Sequence, residues 1–299
     1  MAIYSNPMTA KTRHRLWGIL FIGFLLWSPN GGATAQEASN NNDCITVFEN
    51  GKLNWSTGQV SAVGKASPRG NREGANESVP GSARADASRN IIDILRQIKI
   101  KNTVTVDQYA AQNDIILAGI EKTARDAVIT EQYYSSALDV EIRIKTSIYG
   151  GFLQLVLPDD IRQISRINTE ITAATAQEQK KQMGEIPYTG LIIDARGLEL
   201  EPILYPTIVS EQGNDIYSSL FISREFAVQY GVCTYVCSMD AALRGERIGS
   251  HPLVFKGLRK SGNENASIVI SLADTKLIEK ATERHLFLKE CRVIIVKGP

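Results

Sequence analysis

Residues 138–148 read LDVEIRIKTSI, and this stretch decides the fold of the first half of the chain. Apolar and charged side chains alternate along it, with Val140, Ile142 and Ile144 interleaved with Glu141, Arg143 and Lys145. Successive side chains of a β-strand point to opposite faces of the sheet. The alternation therefore predicts a strand with one buried and one solvated face, as in an antiparallel sheet covered on one side.

The elements before this strand predict what covers it. Strands are expected at 45–49, 52–63 and 128–134, with a short edge strand at 103–106 and a hairpin turn at Asn50–Gly51. An apolar stripe predicts a helix over 82–98, and a second helix, capped by Asp107, is expected to run to Arg125. Apart from the edge strand, the order strand, strand, helix, helix, strand, strand predicts helices packed on one face of an antiparallel sheet.

The remainder of the chain predicts a second unit. Strands are expected at 188–194, 205–209, 232–238, 253–258, 266–271 and 291–296, and a helix capped by Asp274 at 275–283. A polar helix with one isoleucine stripe is predicted over 159–184, and it is either a subunit-contact seam or a connector packed on its own domain. The predicted fold class is α+β: two small domains, each with helices on a mainly antiparallel sheet, joined by a polar helix.

The N-terminus has the three parts of a secretory signal. Lys11, Arg13 and Arg15 precede an apolar run over 16–27, and Ala33–Ala35 offers a small-residue cleavage site. The run is shorter than the roughly 20 residues that span a bilayer, although an uncleaved anchor is the alternative. The predicted organisation is a signal peptide over 1–35, an α+β domain over 36–158, a connector helix over 159–186 and a C-terminal α+β domain over 187–299.

These features predict a periplasmic protein. No cysteine stands at the cleavage site, so lipidation is not expected, and no later stretch predicts a transmembrane segment. The formal charge is +1, and removal of the signal leaves 30 cations against 32 anions, a net charge of −2. Without a basic excess or stripe, no nucleic-acid partner is expected.

Four cysteines, Cys44, Cys233, Cys237 and Cys291, are available for disulfides in an exported protein. On one strand Cys233 and Cys237 would lie about 13 Å apart, too far to bond to each other. Either can meet Cys291 on a neighbouring strand, or the thiols can stay free and buried. No metal site is expected, because only His251 and His285 follow the signal and no CxxC or HxxxH spacing is present.

The candidate site is the sequence Asp194-Ala195-Arg196-Gly197 at the end of a predicted buried strand. One interpretation is a turn held by an Asp194–Arg196 ion pair, with Gly197 at positive φ. The alternative is a binding site for a small anionic or glycan ligand. A hydrolase would pair Asp194 with Glu199 or Glu201 as its two carboxylates. No nucleophile elbow, phosphate loop or dinucleotide fingerprint is present. The prediction is therefore a non-enzymatic protein with no catalytic residue and no cofactor.

Four stretches carry a family resemblance: WSTGQVSAVGKA at 55–66, ARADASRNIIDILRQIKI at 83–100, NTVTV at 102–106 and LDVEIRIKTSIYGGFLQLVLP at 138–158. Residues 45–157 resemble the Helicobacter twenty-kilodalton lipoprotein family, which includes flagellar ring lipoproteins of the FlgP type. The resemblance implies an α+β domain that builds rings in the bacterial envelope and has no catalytic activity. Unlike the named members, this chain lacks the anchoring cysteine.

Together these observations predict an exported cell-envelope protein that assembles through protein–protein contacts, with self-association among them. Exposed edge strands suit the addition of subunits along a sheet. A flagellar or outer-membrane-associated ring is the assembly that the resemblance implies. The alternative function is a periplasmic binding module centred on Asp194 and Arg196.

Overall fold

A computed structural model describes residues 43–68, 78–161, 187–261, 267–282 and 286–298. All of them belong to one structural unit. We refer to residues 43–161 as the N-terminal half and to residues 187–298 as the C-terminal half. One apolar core contains buried residues from both halves. Most of the expected connector helix lies outside the described residues, so the domain boundaries stay predictions.

The N-terminal half contains a five-stranded antiparallel sheet with helices on one face. Its strands and helices, in chain order, are β1 (Ile45–Phe48), β2 (Gly51–Asn54), β3 (Gln59–Ala66), α1 (Val79–Gln97), β4 (Lys99–Lys101), β5 (Val104–Thr105), α2 (Val106–Ala110), α3 (Asp114–Arg125), β6 (Val128–Tyr134), β7 (Val140–Ser147) and α4 (Gly151–Val156). The strand order is β1-β2-β3-β7-β6. This confirms the α+β class and the antiparallel arrangement predicted from residues 138–148.

Helix α1 packs directly on strand β3. Ser78 caps the helix, since its hydroxyl accepts a hydrogen bond from the N–H of Gly81, and the buried stripe includes Ala83, Ala87 and Ile91. Gly64 of β3 allows the close approach, because a Cβ there would lie 2.1 Å from the amide nitrogen of Ala87. Small residues on both elements therefore set the distance between helix and sheet.

Two predicted strand boundaries in this half were wrong. The expected strand over 52–63 is two strands, β2 and β3, separated by a turn over 55–58. The first hairpin turns at 49–50, because Phe48 pairs with Gly51. Gly51 therefore lies in β2 and not in the turn. It is required there because a Cβ would lie 2.2 Å from the carbonyl oxygen of Ser61.

The expected helix from Asp107 to Arg125 is also two helices, α2 and α3. Thr105, and not Asp107, caps α2 through a capping box with Gln108. Asn113 caps α3 by accepting hydrogen bonds from the N–H groups of Ile115 and Ile116. A strong cap inside an apolar pattern starts a new helix, because its side chain competes for the backbone donors.

The C-terminal half contains two further four-stranded sheets. Its elements are β8 (Gly190–Asp194), β9 (Thr207–Ser210), β10 (Asp215–Tyr217), α5 (Arg224–Tyr230), β11 (Thr234–Val236), α6 (Met239–Leu243), a 3₁₀ turn (Glu246–Ile248), β12 (Pro252–Lys256), β13 (Arg259–Lys260), β14 (Ser267–Ile270), α7 (Leu272–Thr282) and β15 (Val293–Val296). Ser271 caps α7 in place of the expected Asp274, since its hydroxyl accepts a hydrogen bond from the N–H of Asp274.

The central sheet of this half, β11-β15-β8-β12, differs from expectation because all of its strand pairs are parallel. All four residues of β15 are buried, which is typical of a strand covered on both faces. Ile192 and Ile294 pack on one face against α6 and the 3₁₀ turn. Leu191 and Ile295 belong to the large core on the other face. The second sheet, β10-β9-β14-β13, has one parallel pair, β9 with β14, between antiparallel pairs.

Covalent and polar contacts join the two halves. Cys44 forms a disulfide with Cys237, with a Cα–Cα distance of 5.3 Å. Arg224 donates hydrogen bonds of 2.9 Å to the carbonyl oxygens of Gln154 and Pro158 at the end of α4. Of the two alternatives that the sequence left open, the pairing of Cys233 or Cys237 with Cys291 is not observed. Cys237 is bonded to Cys44, and Cys233 and Cys291 are free.

The two other cysteines, Cys233 and Cys291, are free and buried. Burial raises the pKa of Cys233 to about 12 and that of Cys291 to about 11. Both thiols therefore stay protonated at neutral pH. None of the helices in the described part of the chain combines the length and apolar character needed to span a bilayer.

Removal of the disulfide should destabilise the protein. The bond closes a loop with a sequence separation of 193 residues. We expect the double variant Cys44→Ala/Cys237→Ala to lose about 2–4 kcal/mol of unfolding free energy, measured by urea denaturation, because the bond restricts the unfolded chain. Cys233→Ala, which keeps the bond, is the control. A non-reducing peptide map that joined Cys237 to Cys291 would contradict the assignment.

The contact between α1 and β3 should be sensitive to a single methyl group. Gly64→Ala is expected to lower the free energy of unfolding by about 1–3 kcal/mol through overpacking. Gly151→Ala is the matched control, because nothing lies within 4 Å of a Cβ at that position. It should be neutral or stabilising by up to about 1 kcal/mol. Equal unfolding curves for the two variants would refute the close approach.

Candidate functional site

The sequence-predicted site lies at the carboxyl end of β8, a central strand of the parallel sheet. The guanidinium of Arg196 donates two hydrogen bonds to the Asp194 carboxylate, from Nε at 2.8 Å and from Nη2 at 2.7 Å. The backbone N–H of Arg196 donates a third at 3.2 Å. Gly197 follows with φ +84°. These are the contacts expected of a turn held by an ion pair.

The two charges at this turn stabilise each other. Hydrogen bonds from Arg196 hold the pKa of the Asp194 carboxyl below its usual value, and the same contact raises the pKa of Arg196. The Asp194 carbonyl oxygen also accepts a hydrogen bond of 2.8 Å from the N–H of Gly257, next to β12. A small ligand at this position would have to compete with the bidentate contact.

The two other candidate acids, Glu199 and Glu201, are both exposed. Glu201 forms an ion pair with Lys99 of β4, which is a further contact between the halves. Glu199 has a positive φ of 48°, and its carbonyl oxygen accepts a hydrogen bond from Lys260. The carboxylate of Glu201 is therefore used in a contact between the halves, whereas the contact of Glu199 is made by its backbone.

The remaining candidate for chemistry, His251, lies on the surface. Its ring stacks on Tyr188 at 4.9 Å between centroids. His285 lies outside the described residues. Within the part of the chain that the structure describes, no three His, Cys, Asp or Glu side chains are grouped to hold a metal ion.

A different feature, the edge strand β6, exposes apolar side chains. Six of its seven residues are exposed, with Val128 at 67% and Tyr134 at 64% exposure. Ile129 and Tyr134 pair with the buried residues Ile144 and Val140 of β7. Ile129 and Tyr134 thus belong to the face of the sheet that carries the helices, but α1 covers β3 and β7 and does not extend over β6. We call Val128, Ile129, Tyr133 and Tyr134 the β6 edge.

The one charged residue of β6, Glu131, is paired on the solvated face of the sheet. Arg143 of β7 forms an ion pair with Glu131 at 2.6 Å, and the Tyr133 hydroxyl donates a hydrogen bond to the same carboxylate at 2.8 Å. Strand β6 therefore presents no unpaired charge along its length. Sequence reasoning predicted a strand here, but not its position at an edge, because the order of strands depends on tertiary pairing.

Strand β1 forms the opposite edge of the same sheet. Its sequence, ITVF, contains no charged residue, and Val47 is exposed to 77%. Native sheet edges are commonly protected from further pairing by lysine, proline or a charge that points inward. Neither β1 nor β6 contains lysine or proline. Among the described strands, β1 pairs only with β2 and β6 only with β7.

These observations define an α+β protein in which exposed apolar residues follow one sheet edge. Residues 190–299 match the family model described as Treponema pallidum Tp0624, second domain. The match begins at the first residue of β8 and includes both sheets of the C-terminal half. It covers less than half of the chain. A comparison with curated proteins found no match.

The Asp194–Arg196 contact should appear as a pH-dependent stability difference. The folded-state pKa of Asp194 lies below its usual value of 3.8, so its contribution is present above that pH and is lost as the pH falls through the folded-state pKa. We expect Asp194→Asn to lower the urea midpoint at neutral pH, and the difference from wild type to shrink below pH 3.8.

Glu121→Gln, an exposed change on α3, serves as the control and should leave the urea midpoint unchanged across this range. A gap between wild type and Asp194→Asn that stayed constant from neutral to acidic pH would show that the carboxylate charge is not what holds the turn.

Proposed function

We propose that this protein is an exported, non-enzymatic component of the cell envelope that assembles with further copies of itself through the edges of its five-stranded sheet. The observation that carries the proposal is the β6 edge. Most of the side chains of this strand are exposed, and its one charged residue, Glu131, is paired with Arg143. An added strand would pair with its free backbone groups and cover its apolar side chains.

A second copy is the partner that these edges fit best. Strand β1 and strand β6 lie at opposite ends of one sheet, and neither contains lysine or proline. Strand β6 does carry Glu131 and a register shift between Ile129 and Glu131, so β1 is the less protected of the two edges. The five strands alternate in direction, so β1 and β6 run the same way. Pairing β6 of one copy with β1 of the next therefore continues the sheet through a parallel junction. Such a head-to-tail contact closes into a ring or extends as a filament.

Export and the oxidised Cys44–Cys237 pair are consistent with each other. Disulfides persist in oxidising compartments such as the bacterial periplasm, and the N-terminal pattern predicts delivery there. A non-enzymatic role is supported by two ion pairs. Asp194 pairs with Arg196, and Glu201 pairs with Lys99. The binding function centred on Asp194 and Arg196 is less favoured, because each of these groups already has a full partner.

The head-to-tail contact predicts how two blocked variants behave. Val47→Lys blocks β1 and Tyr134→Lys blocks β6, and both side chains are exposed, so the fold should be retained. Sedimentation velocity on the exported form starting at Gln36 should show oligomers for wild type and monomers for each variant alone. A mixture of the two variants should form dimers and stop, because each copy keeps one complementary edge.

Leu220→Lys, which changes an exposed leucine of the C-terminal half, is the matched control and should assemble like wild type. A wild-type protein that remained monomeric at all concentrations would refute assembly. Oligomers that Tyr134→Lys abolishes and Val47→Lys leaves intact would show β6 pairing with another β6 and would refute the head-to-tail arrangement.

A further inference from the structure

A cleft of about 430 Å³ lies where the two halves meet. Its lining comes from the turn between β2 and β3, the segment between β7 and α4, helix α5, the start of β11, the 3₁₀ turn and the segment before β15. Small-molecule sites commonly have volumes of about 300–1,000 Å³ and lie at such junctions. The cleft is therefore large enough for a ligand of one or two rings.

One wall of the cleft is aromatic. Phe226 and Tyr230 lie one turn apart on α5, with ring centroids 6.4 Å apart and planes inclined by 25°. Tyr230 is 47% exposed, so its ring is available to a ligand. The wall thus offers two nearly parallel rings with one open to solvent.

A third ring, that of Tyr149, is held rigidly between two glycines. A Cβ at Gly58 would lie 2.4 Å from this ring, and a Cβ at Gly231 would lie 2.7 Å from it. Gly58 belongs to the N-terminal half and Gly231 ends α5 in the C-terminal half. The ring is therefore fixed by both halves before any ligand arrives.

Arg247 fixes the floor of the cleft. Its Nε donates a hydrogen bond of 2.6 Å to the carbonyl oxygen of Cys291, and its Nη1 donates to the carbonyl oxygen of Tyr230 at 2.6 Å and to the Thr234 hydroxyl at 2.9 Å. Its Nη2 donates to the carbonyl oxygen of Gly231. A guanidinium has five N–H donors, so four contacts leave one for a ligand.

The charges around the cleft are balanced. Glu290 and Arg292 form an ion pair at 2.7 Å, and Glu246 is exposed beside Arg247. Two carboxylates thus accompany two guanidinium groups. Because these charges balance, the cleft does not attract a strongly charged ligand. Its carboxylate and guanidinium groups are planar, and each can form two hydrogen bonds with neighbouring hydroxyl groups of a ligand.

We propose that this cleft is a binding site for a neutral saccharide. The C–H face of a pyranose ring stacks on the exposed Tyr230 ring, which buries apolar surface on both sides. Its hydroxyl groups donate to Glu246 and Glu290 and accept from the free N–H of Arg247 and from Arg292. The rigid Tyr149 and Arg247 reduce the cost of ordering the site. The proposal does not depend on how copies of the chain assemble.

The test is isothermal titration of the exported chain with three neutral trisaccharides: maltotriose, cellotriose and the trimer of N-acetylglucosamine. At least one should bind saturably with a Kd of about 1 mM or tighter. Tyr230→Ala should weaken that binding about tenfold, since it removes the stacking surface. Glu246→Gln, which keeps the side-chain shape, should also weaken it.

Tyr188→Ala is the matched control, because this tyrosine is exposed and does not line the cleft, and its binding should equal that of wild type. Thermal unfolding of each variant establishes that the fold is intact. The proposal is overturned if none of the three trisaccharides binds, if Tyr230→Ala binds as well as wild type, or if inorganic phosphate binds in their place.

Discussion

The central constraint on this structure is the burial of both faces of the parallel strands β8 and β15. Each strand has a run of branched apolar side chains that alternates between the two faces, and all four residues of β15 are buried. Helix α6 and the 3₁₀ turn cover one face. The other face joins the core that also contains residues of the N-terminal half. The second face of the parallel sheet thus belongs to a core to which both halves contribute.

One covalent bond and several polar contacts also join the two halves. The Cys44–Cys237 bond, the Arg224 hydrogen bonds to α4 and the ion pair of Lys99 with Glu201 join distant parts of the chain. The candidate acid Glu201 is thus used in a contact between the halves, and Asp194 and Arg196 hold the turn after β8. The two sheet edges and the cleft lined by Tyr230 are open to partners.

Local pattern was a good guide wherever local forces decide the structure. The alternation of residues 138–148 predicted β7, the apolar stripe predicted α1, and Asp194-Ala195-Arg196-Gly197 predicted an ion-paired turn. Local pattern was wrong where one capping residue or one close contact sets the boundary of an element. Thr105 and Asn113 each cap a helix and so divide one expected helix into two. Gly51 lies in β2 because the backbone of Ser61 approaches it closely. Local pattern could not find the cleft, since Tyr149 and Tyr230 are distant in sequence.

By itself the sequence determined the α+β class, the position of most strands and the character of the turn after β8, because periodicity and short-range hydrogen bonds set these features. Tertiary structure alone decided that the central sheet of the C-terminal half is parallel, that Cys44 pairs with Cys237, and that β1 and β6 form the edges of the five-stranded sheet. Strand order and cysteine pairing depend on which distant segments share a core. Their energies come from contacts between residues that are far apart in the chain.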